Sequence, residues 1–211
     1  MAHILVHEVG PRDGLQAEKQ VVPTAIKLGW LERLIESGLD IVQVGSFVHP
    51  EKVPQMADTD ELFRRLTASR RPGGAVLSGL VLNEKGLERG LACGVEMFCL
   101  GVSASETHSR KNTGMGTAEA TQRIVATALA AKRAGREVQV SVQSAFGCGF
   151  EGRVPETRVM EIVAAYFAAG LEAVSLADTA GHAHPAQVAS YVRRILAMAP
   201  GARITAHIHN T

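Results

Sequence analysis

Short apolar runs alternate with longer amphipathic ones along the chain, and glycines close several of the longer runs. The short runs fall at 4–9, 39–44, 75–82, 97–102, 137–143, 173–176 and 204–209. Between them, 24–37, 58–68, 83–92, 117–134, 155–169 and 185–198 carry apolar residues at helical spacing. In the first of these, Leu28, Leu31, Leu34 and Ile35 share one face and Gly38 stops the helix. Gly135 and Gly170 stop two more helices, and Pro200-Gly201 closes the last. Strict strand–helix alternation predicts βαβ units and a parallel sheet. Seven such units favour an α/β fold of the (β/α)8 barrel type, with a doubly wound open sheet as the alternative. After the first strand, Gly10-Pro11-Arg12-Asp13-Gly14 places a rigid proline and two charges where a phosphate-cradling loop would be glycine-rich, which argues against nucleotide binding. A closed barrel needs an eighth strand. The expectation is therefore one barrel domain over 1–211, truncated after strand seven.

Bulk properties narrow the function classes. The 211 residues, 46% hydrophobic, suffice for a substantial core. A net charge of +1 suggests neither nucleic acid nor an anionic membrane surface as partner. Three scattered cysteines imply no disulfide framework, so a cytoplasmic setting is expected. His7 and Glu8 interrupt the first apolar run, so no signal peptide and no membrane span are expected.

Parallel barrels gather strand C-termini on one face, where barrel enzymes place their sites. Arg12-Asp13 follows the first strand; His207 and His209 close the last. Alternate residues of a strand point the same way, so both imidazoles face one side. A carboxylate oxygen with two imidazole nitrogens makes a divalent-cation site with open positions. A solvated loop at Arg12-Asp13, and a structural role for the histidines, are the bland alternatives. Asn210 could orient a ligand. Asp178, after the sixth strand, reads either as a turn or helix cap or as a supporting carboxylate or base. Ser103-Ala104-Ser105-Glu106 and Arg110-Lys111-Asn112 read as a polar loop or as substrate contacts. Gln43 ends the second strand and Ser46 opens its loop. Cys148 could be reactive but reads better as a small buried residue, and Cys93 and Cys99 read as packing. His108, His182 and His184 read as solvated.

Taken together, several segments resemble the 3-hydroxy-3-methylglutaryl-CoA lyase family. They are Val9-Gly10-Pro11-Arg12-Asp13-Gly14-Leu15-Gln16, Gly45-Ser46-Phe47-Val48, Val53-Pro54-Gln55-Met56, Ser103-Ala104-Ser105-Glu106, Lys111-Asn112, Ser175-Leu176-Ala177-Asp178-Thr179 and His207-Ile208-His209-Asn210-Thr211. The Gly-Pro-Arg-Asp-Gly-Leu-Gln run is specific to that branch; Arg-Asp plus His-x-His is shared with isopropylmalate and homocitrate synthases. The resemblance implies a metal-dependent barrel that cleaves an acyl-CoA in a retro-Claisen reaction, giving acetoacetate and acetyl-CoA. It implies Mg2+ or Mn2+ on Asp13, His207 and His209, with Arg12 steadying the enolate. The expected set is Arg12 and Asp178 as catalytic residues, and Arg12, Gln16, Gln43, Ser46, Asn112 and Thr179 as substrate contacts. A homodimer is expected, in leucine degradation.

Three departures accompany the resemblance. Gln43 stands where the family usually has Glu, and it cannot ionise. Asn210 replaces an Asp. The family's fourth ligand, an Asn, and its loop with a catalytic Cys would lie beyond residue 211; Cys148 sits in a different loop and does not replace that Cys. An inactive barrel fragment, or a related lyase for another 3-hydroxyacyl-CoA, stands as the alternative.

Overall fold

The computed structural model describes residues 4–69 and 74–209. Seven strands are present among them: β1 (His7–Glu8), β2 (Ile41–Ser46), β3 (Val76–Leu80), β4 (Met97–Ser103), β5 (Glu137–Gln143), β6 (Ala173–Asp178) and β7 (Arg203–Ile208). They follow chain order in the sheet. The α-helices of eight residues or more among the described residues are α1 (Thr24–Glu36), α2 (Thr59–Ser69), α3 (Glu84–Cys93), α4 (Glu106–Thr113), α5 (Thr117–Arg133), α6 (Glu156–Ala168) and α7 (Pro185–Met198). This is the parallel β/α class expected, with seven strands of the eight a full barrel has. The chain divides into two compact units, Met1–Cys99 and Leu100–Thr211.

In the first unit, β1 pairs with β2, β2 with β3, and β3 with β4, all in parallel. Strands covered on both faces need continuous apolar runs, and β2 is buried at every position. Its partner register slips between Gln43 and Gly45, a bulge that bends the strand end. Gly45 is required there: a Cβ would lie 2.5 Å from Thr59 Oγ1, the hydroxyl that donates to the Ser46 carbonyl. Phe47 stacks on Phe63 at 5.4 Å over the unit's core. Lys27, 3% exposed on α1, donates to Gln55 O and to Asp58 Oδ1 at 2.8 Å. A lysine so buried is tolerable only because both partners are supplied.

The first strand is shorter than the 4–9 expected. Ile4, Leu5 and Val6 are exposed, and the ladder is confined to His7 and Glu8. At Val6 a side chain substitutes for a strand: its N–H donates to Asp40 Oδ2 at 2.8 Å, while its carbonyl accepts from Ile41 N.

In the second unit, β5 pairs with β6 and β6 with β7 in parallel, and Ala104 N beyond β4 donates to Gln143 O. Tyr166 of α6 is fully buried, its hydroxyl donating to Ser141 O at 2.9 Å. The segment read as a polar loop at 103–112 contains a helix, α4. Ser105 caps it by accepting from His108 N, and Gly114 ends it at φ 76°. Its low apolar content hid it from periodicity; the cap and the glycine were the legible signals. Strands β2, β4 and β6 also run past their expected ends, which puts Ser46, Ser103 and Asp178 on rigid strand rather than loop.

Candidate active site

The first unit's strand ends carry a chain of polar side chains. After β1 the backbone makes a π turn, Gly10–Gly14, in which Arg12 N and Asp13 N both donate to Val9 O. Such widened turns recur at functional positions because they re-aim side chains. Here Arg12 Nε donates to Gln43 Oε1 at 2.5 Å and its Nη1 to Asp13 Oδ1 at 2.5 Å. Gln43 is 2% exposed, and Ser46 is fully buried. Burial pulls the Arg12 pKa down while Asp13 pulls it up; a guanidinium stays charged regardless. Beneath them, burial pushes the Cys99 thiol up to about 11, so it is a neutral partner to Gln43 and Ser78. That agrees with its reading as a packing residue.

Two further atoms in this unit have no hydrogen-bond partner among the described residues: Gln16 Oε1 and Ser46 Oγ. Both residues were expected to contact substrate. A buried polar atom left unpaired costs about 1–3 kcal/mol, so each calls for an explanation.

The second unit's strand ends are built differently. The Nε2 atoms of His207 and His209 lie 3.1 Å apart, with the rings edge to face at 84°. Alternation did place both imidazoles on one side. His209 Nδ1 donates to the Thr179 carbonyl at 3.4 Å. A carbonyl only accepts, so this contact puts a proton on Nδ1 and leaves Nε2 facing His207. Two ligands at right angles on an ion, each at about 2.1 Å, are separated by about 3.0 Å. The histidine pair therefore fits a shared cation. Imidazole nitrogens suit divalent transition ions, and a carboxylate oxygen suits Mg2+ and Mn2+.

Asp178 is 1% exposed, and both its oxygens accept backbone N–H groups, from His182 at 2.8 Å and Ala183 at 3.1 Å. This is the turn-anchoring geometry weighed at the sequence level. Thr179 Oγ1 accepts from Ser144 N at 2.8 Å. Asn112 is exposed on α4, and no hydrogen bond joins it to the other predicted residues among those described. Asn210 lies outside the described residues.

Reading by residue type missed the surroundings of Cys148. Cys148 is buried, as expected, in a tight turn closed by its mutual backbone bonds with Gly152. Burial raises its thiol pKa, but hydrogen bonds from Ser105 and from the Phe150 and Glu151 backbone outweigh that and lower it. Glu151 in the same turn accepts from Thr107 N at 2.5 Å, capping α4 from a distant loop. His108 is not solvated: it is half-buried, stacks on Phe150, and burial lowers its pKa. Its Nδ1 has no partner among the described residues. His182 and His184 are exposed, as read.

The fold and the two sets of strand-end groups define a class, a parallel β/α protein with an Arg-Asp turn and a His-x-His strand. Known proteins sharpen it. The HMGL-like family pattern matches residues 3–211. A hydroxymethylglutaryl-CoA lyase of Bacillus subtilis is 36% identical over 208 residues, covering 99% of this chain and 69% of that protein. An (R)-citramalyl-CoA lyase of Chloroflexus aurantiacus is 37% identical over 218 residues, covering 100% of this chain and 69% of that protein. The solved structure of an HMG-CoA lyase from Acinetobacter baumannii, in complex with coenzyme A and 3-methylmalate, superposes with a TM-score of 0.90. The identity there is 34%, and the match covers 98% of this chain and 67% of that one. The chain belongs to the HMGL-like family, whose members matched here are carbon–carbon lyases. It spans 63% to 69% of the length of such curated relatives.

Proposed function

We propose that this chain cleaves a carbon–carbon bond in a 3-hydroxyacyl-CoA thioester with a divalent cation, with 3-hydroxy-3-methylglutaryl-CoA, giving acetoacetate and acetyl-CoA, as the first substrate to test. The reading treats 1–211 as one catalytic domain. The observation that carries it is the imidazole pair, Nε2 to Nε2 at 3.1 Å with one Nδ1 pinned on a carbonyl, in a chain of this family. His207, His209 and Asp13 would hold Mg2+ or Mn2+, which when bound supplies Lewis acidity to the substrate hydroxyl and carboxylate.

This chain's own residues do the rest. The 3-hydroxyl gives up its proton to solvent, which later returns one to the enolate carbon, and becomes a carbonyl. The bond between C2 and C3 breaks, and its electron pair passes to the thioester as an enolate, which is reprotonated at carbon. Arg12 is the cation suited to that enolate oxygen: it is permanently charged and aimed by Gln43. Gln16 Oε1 and Ser46 Oγ offer unpaired polar atoms for substrate, and Asn112 an exposed amide. Asp178 serves the site through the loop it anchors.

A second acyl group is favoured by two observations. The citramalyl-CoA lyase is as similar as the hydroxymethylglutaryl-CoA lyases. Gln43 is also neutral where the family resemblance implies a Glu. Acetyl-CoA release from both thioesters, with Mn2+, with Mg2+ and with EDTA, tests the proposal. Metal-dependent release from the first supports it; release only from the second moves the substrate, and no release from either sinks it. The reading also carries a cytoplasmic homodimer in leucine breakdown; light scattering checks the dimer. Among the described residues, no helix is long and apolar enough to cross a membrane.

A further inference from the structure

Ser144 is the only non-glycine residue with a left-handed backbone among those described, at φ 53°. It follows β5 directly, is 1% exposed, and its Oγ has no partner among the described residues. A backbone held in a sparsely populated region points to something that over-determines it. What the strained turn accomplishes is visible: it aims the Ser144 N–H at Thr179 Oγ1, 2.8 Å away. The next residue, Ala145, donates its N–H to Ala177 O at 3.1 Å. On the other side of Thr179, the Asp178 carboxylate and carbonyl accept from His182, Ala183 and Gly181. The Thr179 peptide is thus pinned by its own hydroxyl and by Asp178, the residue before it. Its carbonyl is the group that receives His209 Nδ1.

We infer that Thr179 is a positioning residue: its hydroxyl, clamped by Ser144 N–H, fixes the Thr179 carbonyl where it holds His209 with the proton on Nδ1 and Nε2 turned toward His207. The residue acts through His209 and touches no substrate, which differs from the contact role expected from sequence. Its consequence for catalysis rests on the proposed cation reading; the histidine geometry itself does not. Partners that orient a ligating histidine commonly set metal affinity over 10- to 100-fold.

The test uses the full 211-residue chain. Thr179→Val removes the acceptor at nearly constant shape, Thr179→Ala does so with a smaller side chain should the valine variant fold poorly, and Thr179→Ser restores the hydroxyl. In EDTA, long-range nitrogen–proton NMR on 15N-histidine protein reads the His209 tautomer. The expected result is Nδ1–H in the wild type and the serine variant, and a mixture in the valine or alanine variant. Calorimetric titration with Mn2+ is expected to weaken about 10-fold or more without the hydroxyl, and by less than about 2-fold with serine. Activity lost in Thr179→Val should return at saturating Mn2+. A wild-type His209 protonated on Nε2, or a tautomer unmoved by Thr179→Val, overturns the inference. So does a raised KM for the thioester that excess Mn2+ leaves unchanged, which would mark a substrate contact. A wild type with the Nδ1–H tautomer but no Mn2+ binding removes the cation reading and leaves the positioning role standing.

Discussion

The two units furnish their strand ends by opposite means. In Met1–Cys99, polar side chains bind one another: Arg12 to Gln43 and to Asp13. In Leu100–Thr211, apart from the contact between His207 and His209, side chains bind backbone: Asp178 to two N–H groups, Thr179 to Ser144 N, and His209 to the Thr179 carbonyl. Backbone partners are fixed by the sheet and its turns, so groups they hold arrive oriented. Side-chain partners can be exchanged for a ligand's atoms at smaller cost. The contrast teaches that one unit supplies an adaptable cationic group and the other a preset pair of nitrogens.

Each way of breaking that contrast gives a measurement. The largest effect is expected from Arg12→Gln. Losing a charge-stabilising donor of this kind costs about 10²- to 10³-fold in kcat, and acetyl-CoA release should show it with KM little changed. A KM rise at constant kcat would assign Arg12 to binding alone. On stability, Lys27→Ala leaves Asp58 without its buried cation and should cost about 3–5 kcal/mol in urea unfolding.

Asp178→Asn sharpens the difference between the units. It swaps an acceptor oxygen for an NH2 facing a backbone N–H, so a loss of about 1.5–3 kcal/mol in the same assay is expected. Abolished turnover at unchanged stability would instead make Asp178 the base. Gln43→Leu removes the acceptor from a buried guanidinium and should lower kcat/KM roughly 10-fold, in line with about 1–3 kcal/mol for the unpaired donor. Gln43→Glu keeps the acceptor and should stay within a few-fold.

The smallest effect concerns pH. Burial holds the His108 pKa below its ordinary value, so the unfolded chain binds its proton first as pH falls. Its stabilising contribution is complete above about pH 6.5, the unfolded value, and is lost as pH drops toward the folded one. The fall in Tm between pH 7.5 and pH 5.5 should therefore shrink in His108→Leu; an unchanged fall would mean that this ring does not titrate with folding.

Much of this is legible in the sequence. Alternation fixes β5 at 137–143 to the residue and α7 at 185–198, because a helix or strand that buries one face must repeat its apolar positions with that element's period. The pairing of His207 with His209 follows from the same two-residue period. The α4 helix escaped because it is polar throughout and stabilised by caps, one of them Glu151 from another loop. The first strand is shorter than its period predicts because apolar residues 4–6 fit the pattern, yet the Val6 N–H is met by the Asp40 side chain.

Residue types alone determined the family, the parallel β/α class and the candidate set Arg12, Asp13, Asp178, Thr179, His207 and His209. They did so because period and motif are properties of neighbours along the chain. Only the tertiary structure decided what those residues do to one another: that Gln43 receives Arg12, that Asp178 spends both oxygens on backbone, and that Ser144 is strained to hold Thr179. The first and last of these depend on hydrogen bonds between residues 31 and 35 positions apart, and no local pattern specifies which donor a distant oxygen meets; the Asp178 bonds are local, but only the fold chose the turn among its readings.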